Sequence, residues 1–229
     1  MTRNANARLA GFAYLFYIAV AFPDMVLMRR ATRGDDVPAQ LTTLAQHASV
    51  VHVSVVLTLL SALSALVLAV TLHAITRDED ADLAMLGLSC RVAEGITGVV
   101  GIPSTLGLLW LATASGPSAP DPAALRALGT FLLQRSPLVP ATLFAFGSTI
   151  FCWLLLRGRM IPTWLAWVGF LGSALIAVGL PLQLADVLHG LATQIMYVPV
   201  AVFEITVAVW FLTKGVDTAA HRSQIPANL

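Results

Sequence analysis

The chain has 229 residues, 58% hydrophobic and 11% charged, with a net charge of +1 and a mean hydropathy of +0.83. A soluble domain carries about 25% charged residues, so a chain this poor in charge excludes water as its main solvent and points to lipid. The near-neutral balance also excludes nucleic acid as a partner, because that needs a concentrated basic face.

A helix needs about 20 mostly apolar residues to cross the hydrocarbon core, and six segments qualify. The first runs over Leu9–Met28. Arg3 and Arg8 followed by Ala19-Val20-Ala21 imitate a secretory signal with its cleavage site. The apolar run continues past Pro23-Asp24 to Met28, however, which favours a span that stays in the protein. A long loop follows, and within it Asp36-Val37-Pro38 reads as the start of a short amphipathic helix. The second span, Val50–Ala74, places Ser54, Thr58, Ser61 and Ala65 at helical spacing, as a packing face.

The third span, Leu83–Leu111, carries a cation and an anion deep inside apolar sequence. Gly87, Arg91, Glu94, Gly98, Gly101 and Thr105 follow steps of four and three, so they line one helix face. Glycines there let a neighbouring helix come close, and a packing seam is the expected use of Gly87, Gly98, Gly101 and Thr105. After it, Asp121-Pro122 opens a second long loop as Asp36 opened the first, again with an amphipathic stretch. Spans one and two therefore echo spans three and four.

Span four, Val139–Leu156, offers another small-residue face in Ala141, Ala145, Ser148 and Cys152. Span five is Trp164–Leu184, and span six, Leu191–Leu212, holds Glu204. Pro23, Pro181 and Pro199 fall near span ends or where a kink between packed helices is tolerable. Strand alternation is absent. The predicted fold is all-α, a polytopic transmembrane bundle of six spans in one domain over residues 1–229, with short amphipathic helices in its two long outer loops.

Charge within a bilayer is costly, so Arg91, Glu94 and Glu204 are the main candidates for a binding site or an ion lock. Counting along the helices from the cytoplasmic ends puts Arg91 and Glu204 about 12 Å deep and Glu94 about 16 Å. One arginine between two acids leaves a single proton to be exchanged. A weaker polar group, Asp24, His52, Asp186 and His189, falls at the opposite span ends. Two histidines and two acids can be drawn as a metal site, but no HExxH pattern is present and interfacial residues without a ligand are the expectation. His73 and His221 read as cytoplasmic, and no two histidines pair as haem ligands would. Cys90 and Cys152 have neither CxxC nor metal spacing and read as small packed side chains. Neither GxSxG, nor a Walker loop, nor a dinucleotide motif occurs. No cofactor and no metal are expected.

Four passages carry a family resemblance. They are Arg8-Leu9-Ala10-Gly11 at the start, Cys90-Arg91-Val92-Ala93-Glu94-Gly95, and Phe146-Gly147-Ser148 running on to Arg157-Gly158-Arg159-Met160-Ile161-Pro162. The last is Glu204 with Trp210-Phe211-Leu212-Thr213-Lys214-Gly215. In order and spacing these resemble a bacterial family of multi-span membrane proteins described as domain of unknown function 4386. Cys90 stands where that family's pattern has Phe. The resemblance implies a six-span bundle and matches the positions of Arg91, Glu94 and Glu204, and it carries no activity across. A bacterial source also suits the basic residues, since Lys214 is the only lysine among 13.

Three functions compete. The first is a small transporter or a ligand- or lipid-binding membrane protein with Arg91, Glu94 and Glu204 as its internal site. The second is a structural or accessory protein that uses the same charges as a lock. The third is a membrane-embedded enzyme with the outer His and Asp residues, which ranks last. Partners are membrane lipid and either a small molecule or another membrane protein. Access of water or a ligand to Glu94 separates the first reading from the second.

Orientation follows from basic residues, which favour the cytoplasmic side. With the N-terminus inside a bacterial plasma membrane, Arg3, Arg8, Arg77, Arg157, Arg159, Lys214 and Arg222 are cytoplasmic, and both termini with them. Arg29, Arg30, Arg33, Arg126 and Arg135 lie in the two long outer loops, whose length weakens their vote. Trp153, Trp164, Trp167 and Trp210 sit at the inner interface under the same arrangement, and Trp110 at the outer one. Single-cysteine labelling of intact cells should therefore reach the loops around Arg33 and Arg126 and leave the Arg157 loop unlabelled. Labelling of the Arg157 loop from outside would reverse the orientation.

Overall fold

The computed structural model describes residues 2–116, 119–133 and 138–216. Arg135, His221 and Arg222 lie outside the described residues. Among those described, every regular element is helical. In chain order these are α1 (Arg3–Ala31), α2 (Val37–Gln46), α3 (Ala48–Thr76), α4 (Ala81–Val100) and α5 (Ile102–Thr113). They are followed by α6 (Pro122–Leu133), α7 (Leu138–Arg157), α8 (Thr163–Leu184), α9 (Ala192–Ile195) and α10 (Val198–Thr213). Six stretches are long and apolar enough to cross a membrane: Arg3–Ala31, Ala48–Thr76, Ala81–Thr113, Pro122–Arg157 (α6 and α7, with residues 134–137 outside those described), Thr163–Leu184 and Ala192–Thr213. Large apolar side chains such as Phe22, Val100, Val178 and Leu184 remain exposed along them. A helix can present such a surface to lipid because its backbone hydrogen bonds close internally.

Both loop helices start as their sequences require. Asp36 Oδ1 accepts a hydrogen bond from the Ala39 amide at 2.8 Å, and Pro38 sits in the first turn of α2. Asp121 Oδ1 accepts from the amides of Ala123 and Ala124, each at 2.9 Å, ahead of α6. An acidic cap pairs amides that the helix itself leaves without partners.

Two spans differ from the continuous helices expected. The third is broken at Gly101, between α4 and α5, because Pro103 in the first turn of α5 has no N–H to donate and its ring crowds the preceding turn. Gly101 and Thr105 close the break with amide bonds to the Gly98 and Gly101 carbonyls, both 3.2 Å. The sixth is likewise split, with Pro199 in the first turn of α10. Pro23 and Pro181, in contrast, remain inside α1 and α8.

The described chain forms two compact units. The first comprises Met1–Leu15, Ser64–Glu94 and Leu138–Leu229. In it α7 packs on α8 and α8 on α10. Ala145, Ile176, Leu180 and Val200 are buried at this seam, with Phe144 against them. Small residues set the distance between helices. A Cβ on Gly11 would stand 2.7 Å from the Ala208 carbonyl oxygen, and one on Gly169 would stand 2.5 Å from the Phe203 ring. One end of this unit gathers the starts and ends of its helices. Arg3 Nε donates to the Ile75 carbonyl at 3.0 Å, Arg157 lies 3.3 Å from Asp80, and the Val216 amide donates to Asn4 Oδ1 at 3.1 Å. Gly215, at φ 75°, makes that last turn possible in the left-handed region open to glycine. Alternating spans require these segments to share one end, as they do here.

The second unit comprises Phe16–Leu63 and Gly95–Pro137. Here α2 packs on α5 and α6, around Leu41, Leu44, Val51, Leu108 and Leu111. A Cβ on Gly129 of α6 would come 2.7 Å from Val37 of α2, so the two loop helices touch closely.

The expected glycine seam of span three is only partly of this kind. Gly87 faces the Phe151 ring, 3.1 Å from where its Cβ would stand, whereas Gly98 has nothing within 4 Å. Gly11→Val should therefore lower stability by about 1–3 kcal/mol, since a backbone carbonyl cannot rotate out of the way, and Gly98→Ala should leave it unchanged or slightly raised. Thermal melts in lipid nanodiscs would measure both. Equal losses at the two positions would show that close helix approach at Gly11 does not govern stability.

Candidate functional site

In the first unit the deep charges meet other polar groups. Arg91 on α4 is 1% exposed, one of the most completely buried large side chains described. Its Nη1 lies 2.8 Å from Glu94 Oε2, three residues along the same helix. The guanidinium carbon stands 4.8 Å from the centre of the Phe144 ring on α7. A delocalised cation over an aromatic face is stabilised by the ring quadrupole, more so away from water. Gly147 makes room for the stem, because a Cβ there would stand 3.0 Å from Arg91 Cγ. The arginine is thus held by an anion, a ring and a missing side chain.

Glu204 on α10 lies within the electrostatic reach of Arg91 and Glu94. Its Oε1 is buried without a hydrogen-bond partner among the described residues. Tyr14 on α1, also buried, lies in the field of all three charges. Cys152 sits nearby on α7, against Ser173 of α8. The direct ion pair therefore lies within α4, and Glu204 approaches it from a second helix as the acid outside that pair. Such an enclosed group is suited to holding helices in register. A solute has little access to an arginine that is 1% exposed.

The second unit contains a cavity of about 300 Å³. Asp24 on α1 supplies its one acid, with hydroxyls from Thr32 just past α1, from Ser54 and Thr58 on α3 and from Ser104 and Thr105 at the start of α5. Ser54 donates to Asp24 Oδ1, and Thr58 donates to Oδ2 at 2.8 Å. Met25, Met28, Leu108, Leu132 and Leu133 form the apolar part of the wall. A pocket of mixed lining with a few converging polar groups is the usual form of a small-molecule site.

Of the residues singled out by sequence, Arg91 and Glu94 are in contact, with Glu204 within their electrostatic reach. Asp24 is hydrogen-bonded into the cavity wall, while His52 is exposed. His189 Nδ1 lies 3.6 Å from Asp186 Oδ1, both exposed. No group of three or more His, Cys, Asp or Glu side chains is placed to hold a metal among the described residues. Thr105, read as part of a seam, lines the cavity, and its hydroxyl donates to the Gly101 carbonyl at 3.3 Å. Ser54 and Thr58, read as a packing face, are the partners of Asp24. Two hydroxyls one turn apart were the available signal, and the facing acid lies on another span. Phe144 and Tyr14 were not legible as neighbours of the charges, since nothing in an apolar run marks which aromatic faces a cation. Cys90 and Cys152 are free thiols.

Glu94→Gln should cost more stability than Glu204→Gln, because Glu94 is the acid in the 2.8 Å ion pair with Arg91. Arg91→Met should cost about 3–5 kcal/mol by leaving buried carboxylates uncompensated, and the double change Arg91→Met with Glu94→Leu should recover much of it. A double-mutant cycle on unfolding in a lipid-like medium measures the coupling. A larger loss at Glu204 than at Glu94 would contradict this assignment of the pair.

Comparison with curated proteins and with solved structures returns no match. A family model, in contrast, matches nearly the whole chain and takes in Arg91, Glu94 and Glu204. The six apolar helical stretches agree with the multi-span architecture read from the sequence. The protein belongs to the family described as Domain of unknown function (DUF4386), whose model matches residues 9–215.

Proposed function

We propose that this is a small-molecule-binding membrane protein of the transporter type, working as one domain in a bacterial plasma membrane with both termini cytoplasmic. The observation that carries this reading is the cavity of about 300 Å³ with Asp24 and five hydroxyl side chains in its wall. Its neighbourhood supports it. Transporter sites are often built where a span is interrupted, because a broken helix frees backbone and short polar side chains for a ligand. Ser104 and Thr105 follow directly on the break at Gly101. In this reading Arg91, Glu94 and Glu204 act as an internal lock, and the ligand does not enter there.

The second reading, an accessory protein without a ligand, draws on the enclosure of Arg91. Native mass spectrometry of gently extracted protein separates the two. A recurrent small-molecule adduct on the wild type, lost on Ser104→Phe, is the expected result. Bare polypeptide in every mild detergent would sink the binding reading and leave the accessory one.

A further inference from the structure

We infer that the Asp24 cavity takes a small organic monocation, with its ammonium group set against the Asp24 carboxylate and its apolar body along Met28, Leu108 and Leu132. This rests on the binding reading above and names the ligand class for that site.

Charge is the first argument. Asp24 is partly buried on a membrane-spanning helix, and its two hydrogen-bond donors, Ser54 and Thr58, are neutral hydroxyls. None of the ion pairs among the described residues involves Asp24. Hydroxyl donors orient a carboxylate and stabilise it, yet they leave its charge uncancelled. A full negative charge beside an apolar wall repels anions and stabilises a cation that brings its own neutralising charge. The start of α5 does not reverse this, because the positive end of α5 adjoins the negative end of α4 across Gly101. Two abutting helix ends of opposite partial charge largely cancel.

Size and wall chemistry are the second argument. Water occupies about 30 Å³ in the liquid, so a space of about 300 Å³ is far too roomy to cage a bare metal ion. It suits a molecule of on the order of ten heavy atoms. Met28, Leu108 and Leu132 offer that molecule apolar contact, and methionine sulfur favours the edge of an aromatic ring. The cavity is therefore polar at the Asp24 side and apolar beyond it, matching an amine with a hydrocarbon or aromatic body.

Three probes with one body and three charges test this on the full chain in nanodiscs: 2-phenylethylamine, 2-phenylethanol and phenylacetate. Calorimetry should show the amine binding, the alcohol binding weakly and phenylacetate not at all. Asp24→Asn should weaken the amine by about ten- to a hundredfold, the usual effect of losing a charged hydrogen bond, and leave the alcohol unchanged. Ser104→Phe should remove binding of both. If alcohol and amine bind the wild type equally and Ser104→Phe abolishes both, the cation assignment falls while the ligand-binding reading survives. If no probe binds at about 10 mM, both fall. Binding of sodium in place of the amine, seen as competition by sodium chloride but not by potassium chloride at equal ionic strength, also overturns the organic-cation assignment. Should Asp24→Asn fail to fold, the wild-type comparison of the three probes decides the matter alone.

Discussion

The arginine on α4 sets the strictest condition on the structure around it. Removing a guanidinium from water costs several kcal/mol unless an anion and further contacts compensate. Arg91, 1% exposed, meets that condition through Glu94 at 2.8 Å and the Phe144 ring at 4.8 Å. The partners come from α4 itself and from α7, and the stem passes over Gly147. Moving α7 away from α4 would expose the cation to hydrocarbon without its ring, so the electrostatic requirement also ties the helices of the first unit together. Glu204 brings α10 into the same field. Where lipid removes the usual hydrophobic drive, such polar ties and close glycine contacts carry the packing.

The second unit answers a different demand. Its helices α2 and α6 arise from loop sequence, are capped by Asp36 and Asp121, and bury Leu41 and Leu44 with α5. The interruption at Gly101 and Pro103 lets α5 begin afresh and places Ser104 and Thr105 in a cavity wall. Asp24 is held there by hydroxyls in place of a cation. Within this chain, then, one acid is neutralised by an arginine and enclosed, while another is only hydrogen-bonded and faces open space.

Membrane character, helical class, the number of spans and the two loop helices were all determined by the sequence itself. Hydropathy measures transfer into lipid directly, and an acid followed by proline marks a helix start through local hydrogen bonding. The pairing of Arg91 with Glu94 was legible for the same reason, since residues three apart share a helix face. What only the tertiary structure decided lies between helices. Phe144 over the guanidinium, the open space beside Gly98, and Ser54 with Thr58 on Asp24 each depend on which face of one span meets which face of another. In a chain with apolar residues on all sides of its helices, periodicity does not single out the buried face. The charged trio announced itself through its cost in lipid. The cavity did not, because serine and threonine cost little as packing residues and become a site only when an acid from a distant segment is brought to them.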